Sequence, residues 1–133
     1  MRFVDSNVFV YHLAADPVYG KTAKSLLEKI ERGERSATST LVVTQVCSYL
    51  RWKGRQSVIP LFLSLLKQLT SLDKVETHIL DFEEARDIQS ELNLSWSMWD
   101  DIVIATQMKR LNLREIYSND NDFDKIPWIK RIF

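Results

Sequence analysis

Short strand-like segments alternate with longer helix-like segments along the whole chain, and no other feature constrains the fold as much. Parallel strands need long crossover connections, usually helices, so the alternation predicts an α/β fold. The expected architecture is a three-layer α/β/α sandwich with a mostly parallel central sheet. The 133 residues include only three glycines and three prolines, so we expect a single domain spanning 1–133 without linkers.

Hydrophobic periodicity places the elements. Alternating apolar residues predict strands at 2–5, 34–38, 74–80, 114–118 and 130–133. Apolar residues at helical spacing predict helices at 8–14, 18–32, 41–53, 81–92 and 97–111, with a further helix capped by Ser57. The helix at 97–111 is apolar in nearly all directions, which predicts that it is buried. In such folds ligands bind beyond the carboxyl ends of the strands, which is where functional residues are expected.

Acidic residues stand at three places of this type. Asp5 follows the first strand, Asp120 and Asp122 follow the fourth, and Asp100 and Asp101 lie in the first turn of the buried helix. Each alone could be a helix cap or a turn residue. Together they would repel one another unless a cation lay among them, and carboxylate oxygens select Mg²⁺ or Mn²⁺. The sequence therefore predicts a divalent metal site.

The motifs around these acids resemble those of PIN domains. Asp5-Ser6-Asn7 resembles their opening Asp-Thr/Ser-Asn, and 118–123 resembles their Thr-x-Asp-x-Asp-Phe segment. Residues 100–106 resemble their Asp-x-Leu-Ile-x-Ala-Thr segment, with Asp100 in the place of the acid. The resemblance covers almost the whole chain and extends to the VapC-type toxins. It implies a Mg²⁺- or Mn²⁺-dependent endoribonuclease that hydrolyses RNA phosphodiester bonds as the toxin of a toxin–antitoxin pair.

The resemblance also implies roles for individual residues. Asp5, Asp100 and Asp120 would hold the metal, and Asp122 would lie nearby or act through a water molecule. Either Asp120 or Asp122 would steer the attacking water, so that all four acids are expected to be catalytic. Three polar residues are expected to support the pocket: Asn7, Gln45 and Ser118.

Gln45 is a departure from the family pattern, which usually has a glutamate on the helix after the second strand. An amide can offer a neutral oxygen to a metal, but it supplies no charge and cannot act as a base. A weakened enzyme and a non-catalytic PIN module that binds RNA or a protein partner therefore both stay open. A third alternative, a receiver-like phosphoryl-transfer protein, would need a lysine after a late strand, where this chain has Asn-Asp-Asn-Asp.

Bulk charge gives no support for RNA binding, because 18 basic residues balance 18 acidic ones. RNA contact therefore requires a local patch. Arg51, Lys53 and Arg55 lie together at the end of one helix and could bind phosphates. Trp96 and Trp99 flank the predicted acidic turn and could stack on bases. A second basic group consists of Lys125, Lys130 and Arg131.

Two further features concern location and assembly. A single cysteine permits no internal disulfide and suits the cytoplasm, and no apolar stretch approaches the roughly 18 residues of a membrane span. The apolar face formed by Leu61, Phe62, Leu65 and Leu69 is larger than a surface helix needs. With part of the 41–53 helix, it is expected to form a homodimer or to dock a partner, such as an antitoxin.

Overall fold

A parallel five-stranded sheet lies at the centre of the computed structural model, which describes residues 1–133. The strands are β1 (Arg2–Val4), β2 (Ser36–Ser39), β3 (Leu72–Val75), β4 (Glu115–Tyr117) and β5 (Lys130–Ile132). Their order is β3-β2-β1-β4-β5, and every neighbouring pair is parallel. In the central strand, Phe3 pairs with Ala37 on one side and with Ile116 on the other.

Six α-helices connect and cover the strands. They are α1 (Ser6–Leu13), α2 (Gly20–Glu31), α3 (Thr40–Trp52), α4 (Ile59–Gln68), α5 (Ile79–Leu92) and α6 (Trp99–Arg110). Helix α1 contacts α2 and α3, while α5 contacts α6. Short 3₁₀ turns lie at Gln56–Val58, Trp96–Met98 and Asn121–Lys125. The predicted α/β fold with a parallel central sheet is confirmed. None of the helices has the length and apolar character needed to cross a membrane.

The hydrophobic core is one cluster of 31 buried residues that joins the sheet to its helices. Helix α6 is its most buried element, because every residue from Ile102 to Met108 is inaccessible to solvent. Its apolar residues contact neighbours around the whole helix, as the sequence predicted. This burial holds the first turn of α6 firmly against the carboxyl ends of the strands.

The strand predicted at 74–80 is correct only at residues 74 and 75. Strand β3 ends at Val75, and helix α5 begins at Ile79 after His78, whose backbone N–H donates to Asp81 Oδ2 at 2.8 Å. That side-chain cap satisfies a backbone donor that a helix start would otherwise leave unpaired. Ile79 is 73% exposed and Leu80 is 66% exposed. The alternating apolar residues of this segment therefore do not line a buried face of the sheet.

The apolar face predicted on α4 is divided between the core and the surface. Phe62 is fully buried and Leu69 is almost so, while Leu65 packs partly against the core. Leu61 is 66% exposed. Internal packing therefore accounts for most of this face, and on it only Leu61 leaves a largely exposed apolar side chain for a partner.

Candidate active site

Strand pairing brings the first and last acidic motifs together. Strands β1 and β4 are parallel neighbours, and the Asp5 N–H extends their pairing by donating to the Tyr117 carbonyl at 3.1 Å. The next residue after β4 is Ser118, whose hydroxyl donates to Asp5 Oδ2 at 2.7 Å. Residues more than 110 positions apart in sequence therefore meet at one edge of the sheet.

Asp5 lies at the bottom of this site and is only 4% exposed. It is the N-cap of α1, and its Oδ1 accepts a hydrogen bond from the Ser6 N–H at 2.7 Å. Burial raises the pKa of Asp5 above its ordinary value, although the hydrogen bonds from Ser118 and Ser6 oppose the shift. The nearby charge of Asp120 raises it further.

Ser118 organises the loop after β4. Its hydroxyl oxygen accepts hydrogen bonds from Asn7 Nδ2 at 3.2 Å and from the Asp120 N–H at 3.0 Å. The Asn7 amide oxygen in turn accepts from the Asn119 N–H at 3.4 Å. The hydrogen bonds of Asn7 and Ser118 thus link the loop that carries Asp120 to Asp5.

Three carboxylates gather above Asp5. One oxygen from each of Asp101, Asp120 and Asp122 lies within 4.8 Å of the others. Asp120 Oδ1 accepts from the Asp122 N–H at 2.9 Å, which begins the 3₁₀ turn and sets the spacing of these two acids. Lys125 Nζ lies 3.0 Å from Asp122 Oδ1 and offsets part of the negative charge.

Asp101 occupies the position that the sequence had assigned to Asp100. The Asp100 side chain is absent from this group of three, is exposed, and accepts a hydrogen bond from Gln45 Nε2 at 3.0 Å. Consecutive residues of an α-helix point about 100° apart, so two adjacent acids cannot face the same pocket. The packing of α6 turns Asp101, and not the preceding Asp100, towards the acids at the strand ends.

The electrostatics of Asp101 show how closely these acids interact. Its pKa is raised to about 8, first by burial and then by the charges of Asp120, Asp5 and Asp122. A hydrogen bond with Asp120 also favours the protonated form. Four carboxyl groups therefore share one electrostatic site, and they need either a proton or a cation to remain together at neutral pH.

Gln45 lies beside this cluster rather than within it. Its amide nitrogen is committed to Asp100, while its Oε1 is buried without a hydrogen-bond partner. With Asn7, Tyr11 and Tyr49, it lines a cavity of about 320 Å³. A larger cavity of about 470 Å³ includes no residue of the acidic cluster, so it does not mark this site.

The basic residues expected to contact RNA have different surroundings. Arg51, Lys53 and Arg55 are exposed at and just beyond the end of α3. Lys53 Nζ lies 4.7 Å from the centre of the Trp52 ring. In the second basic group, Lys125 and Arg131 are paired with Asp122 and Asp124, while Lys130 is exposed.

The two tryptophans near the site contact each other. The ring centroids of Trp96 and Trp99 are 5.6 Å apart, and their planes are tilted by 40°. Trp96 is exposed, whereas Trp99 packs partly against the core.

Asp101, Tyr11 and Tyr49 were not predicted as site residues, since no sequence pattern shows which helix faces meet beside the acids.

Solved structures of similar fold come from three bacteria. The Mycobacterium tuberculosis toxin VapC20, which cleaves the sarcin-ricin loop, is 16% identical, with a TM-score of 0.80 and 97% coverage of both chains. VapBC2 from Rickettsia felis, bound to a DNA fragment from its promoter, is 17% identical, with a TM-score of 0.73 and coverage of 98% and 96%. A toxin–antitoxin complex from Klebsiella pneumoniae is also 17% identical, with a TM-score of 0.66 and the same coverage.

Family membership follows from the sequence itself. No curated protein sequence matches the chain significantly. The model of the PIN domain family, however, matches residues 2–129, which include every acid of the site. The chain therefore belongs to the PIN domain family.

Proposed function

We propose that the protein is a Mg²⁺- or Mn²⁺-dependent endoribonuclease that acts as the toxin of a toxin–antitoxin pair. The observation that carries the proposal is the gathering of Asp101, Asp120 and Asp122 within 4.8 Å of one another beside buried Asp5. Carboxylates that only cap helices or turns would not need to share a site at this cost in repulsion. The solved structures of similar fold, two of them toxin–antitoxin assemblies, support the toxin role.

The donor set fits a hard divalent ion. All four side chains offer carboxylate oxygens, and no histidine or cysteine belongs to the cluster. Mg²⁺ and Mn²⁺ prefer such ligands and usually keep several water molecules. The raised pKa of Asp101 marks the place where positive charge is missing, and Asp101, Asp120 and Asp122 would bind the ion there.

The acids of the site would have different roles in the proposed reaction. The bound ion would supply an acidified water and offset the charge of the scissile phosphate. Asp5, held by Ser118 and the Ser6 N–H, contributes fixed negative charge from below. Asp120 and Asp122 are half-buried and lie at the mouth of the site, where either can accept a hydrogen bond from the attacking water.

The proposal includes protein partners. An antitoxin would have to cover the acidic site or its approach in order to block cleavage. The Rickettsia felis and Klebsiella pneumoniae assemblies support a partner of this kind. The exposed apolar side chain of Leu61 on α4 supports a homodimer.

Cleavage of single-stranded RNA by the purified protein tests the proposed activity. We expect cleavage with Mn²⁺ or Mg²⁺, none with EDTA, and none for Asp5→Asn. Asp124→Asn is the matched control, because Asp124 lies in the same loop but is paired with Arg131 at 2.9 Å, outside the cluster. Cleavage that survives EDTA or Asp5→Asn would contradict the mechanism.

A non-catalytic PIN module is the second candidate function, and Gln45 is the observation that favours it. The amide nitrogen is bonded to Asp100, and the side chain brings no charge to the metal site. If this reading is correct, RNA or a partner protein binds while cleavage stays at background with either metal. Metal-dependent cleavage that requires Asp5 would exclude it.

A further inference from the structure

A groove between α1 and α3 begins beside the acidic cluster. Asn7 and Tyr11 are four residues apart on α1, and Gln45 and Tyr49 are four residues apart on α3, so each pair shares one helix face. These facing pairs line the cavity of about 320 Å³. Its inner end adjoins the site through Asn7, which bonds Ser118, while Gln45 bonds Asp100, the residue before Asp101.

The groove continues along α3 to a basic end. Tyr49 also lines a second cavity of about 290 Å³, together with Lys53 and Arg55. Gln45 and Lys53 are eight residues apart, which corresponds to about 12 Å along the helix axis. The groove therefore joins the acidic site to two cationic side chains.

The lining of the groove suits a polyanion with flat aromatic parts. Neither cavity has an acidic residue in its lining, although the protein as a whole carries 18 acids. Lys53 and Arg55 take part in none of the ion pairs of the structure. Lys53 Nζ instead lies 5.9 Å from the centre of the Tyr49 ring.

Neither tyrosine is fully buried, although Tyr11 packs partly against the core. Both are partly exposed, and burial raises the pKa of the Tyr11 phenol, with a smaller contribution from nearby Tyr49. Tyr11 is backed by Tyr19, with ring centroids 4.9 Å apart, while Tyr49 is backed by Trp52 at 6.2 Å. The rings are thus held in place and still present surface to the groove.

We propose that the α1–α3 groove is a binding subsite for single-stranded RNA, in which a nucleobase stacks on Tyr49 and Lys53 and Arg55 bind the flanking phosphates. Aromatic stacking accepts any base, and cationic side chains follow the backbone, which is how proteins bind single strands without base-specific hydrogen bonds. The subsite places the strand so that it leads into the acidic cluster. This inference rests on the proposed ribonuclease function, whose substrate path it defines.

Binding of a single-stranded RNA that contains 2-aminopurine tests the subsite. The measurement uses the Asp5→Asn variant in Mn²⁺, which should not cleave the RNA. The fluorescence anisotropy of the RNA measures affinity, and quenching of the 2-aminopurine fluorescence measures stacking. We expect Tyr49→Ala to weaken binding at least about fivefold and to remove the quenching, because the stacked ring is lost. Tyr49→Phe keeps the ring and should retain both signals.

The salt dependence tests the phosphate contacts. Lys53→Ala should lower the slope of log affinity against log salt by about 0.7, the value for one phosphate contact on a single strand. Lys67→Ala on α4 is the matched control, since Lys67 is exposed and lies outside both cavities. It should leave the slope unchanged, and equal effects of the two substitutions would overturn the assignment.

The remaining outcomes separate the subsite from the nuclease. Quenching that is lost in Trp96→Ala but kept in Tyr49→Ala would overturn the proposal and place stacking at the tryptophan pair. Absence of RNA binding would overturn it as well. If cleavage depends on Asp5 but Tyr49→Ala binds RNA as tightly as the protein with Tyr49 does, the proposed subsite is wrong and the proposed nuclease function is supported. If stacking depends on Tyr49 but no cleavage occurs with either metal, the proposed subsite is supported and the proposed nuclease function is wrong.

Discussion

At the scale of single residues, the Asp101 carboxyl makes the metal-free protein sensitive to pH. Its pKa is about 8 in the folded protein against 3.8 as the ordinary value. Between these pH values the folded state holds a proton that the unfolded state has released. The contribution of this group to the free energy of unfolding is therefore largest below about pH 4 and is lost as the pH rises towards 8. Burial raises the pKa of Asp5 too, which acts in the same direction.

We predict that the melting temperature of the metal-free protein falls by at least about 4 °C between pH 5.5 and pH 8, a change of roughly 1 kcal/mol for a chain of this size. Asp101→Asn should flatten this dependence, since an amide does not titrate. Added Mn²⁺ should also flatten it, because the ion replaces the proton. Thermal unfolding followed by circular dichroism measures the melting temperature of the metal-free protein, of Asp101→Asn and of the protein with Mn²⁺. A melting temperature that rises with pH in the metal-free protein would contradict the account.

Gln45→Glu tests how the departure from the family pattern affects the site. The substitution replaces the amide that donates to Asp100 Oδ2 at 3.0 Å with a second carboxylate. Without metal, the protein should be less stable, because two like charges face each other. With Mn²⁺, the added negative charge beside the cluster should tighten metal binding and raise RNA cleavage by about tenfold, which requires only about 1.4 kcal/mol.

Calorimetric titration of Mn²⁺ and RNA cleavage rates measure this effect. Gln45→Ala is the control, since it removes the same hydrogen bond without adding charge, and it should give no gain. A gain in cleavage that persists after Asp5→Asn would show that the activity lies outside this site.

The sequence indicates where some acids of the proposed site lie and leaves the placement of others open. Asp5 and Asp120 follow strands, and a strand end fixes where its next residue lies, so their meeting could be predicted. Asp100 and Asp101 both lie in the first turn of α6, which is buried on nearly every side. Apolar periodicity therefore gave no indication of which acid faces the sheet, and only the three-dimensional packing decides it.

At the scale of elements, most helices and strands agree with their sequence patterns, and the exceptions have local causes. The 74–80 segment alternates like a strand, but the bond from the His78 N–H to Asp81 starts a helix there. Arg110 on α6 then pairs with Asp81 at 2.9 Å and fixes the start of α5 against α6. Capping and a distant ion pair overrode a short apolar alternation, which sequence periodicity cannot detect.

Helix α4 provides a test of which part of its apolar face belongs to the core. Phe62 is fully buried and packs edge-on against Phe9, with ring centroids 5.4 Å apart. Phe62→Ala should lower the free energy of unfolding by about 3–5 kcal/mol, because it leaves a cavity in the core. Leu61→Ala should change it by less than about 0.5 kcal/mol, as is usual for an exposed site. Urea unfolding measures both, and equal losses would contradict this division of the helix.

At the scale of the whole molecule, the exposed apolar residues bear on assembly. Leu61 and Leu63 on α4 remain exposed next to the core-facing side of the helix. We predict that the protein forms a homodimer through the surface around Leu61, and that Leu61→Lys converts it to a monomer without loss of folding. Light scattering at tens of micromolar distinguishes the two states. A wild-type protein that is monomeric at this concentration would contradict the prediction.

The overall fold was predictable from the sequence, because alternating strands and helices leave few arrangements other than a parallel sheet with helical crossovers. The α1–α3 groove was not. Tyr11 and Tyr49 meet across two helices that are separated by α2 and β2, and their alignment depends on how those helices pack. Strand ends indicate where acids such as Asp5 and Asp120 lie, whereas the residues proposed to bind RNA are brought together only by the tertiary structure.

The central claim is that Asp101, Asp120 and Asp122, beside the buried carboxylate of Asp5, hold the ion required for RNA cleavage. Rates of Mn²⁺-dependent cleavage of single-stranded RNA by Asp101→Asn and Asp100→Asn test it most directly, because the two substitutions remove the same charge from adjacent residues of one helix turn. The account predicts a loss of at least about a hundredfold for Asp101→Asn, equivalent to about 2.7 kcal/mol of barrier, and less than about tenfold for Asp100→Asn. A larger loss for Asp100→Asn, or equal losses for both, would contradict it.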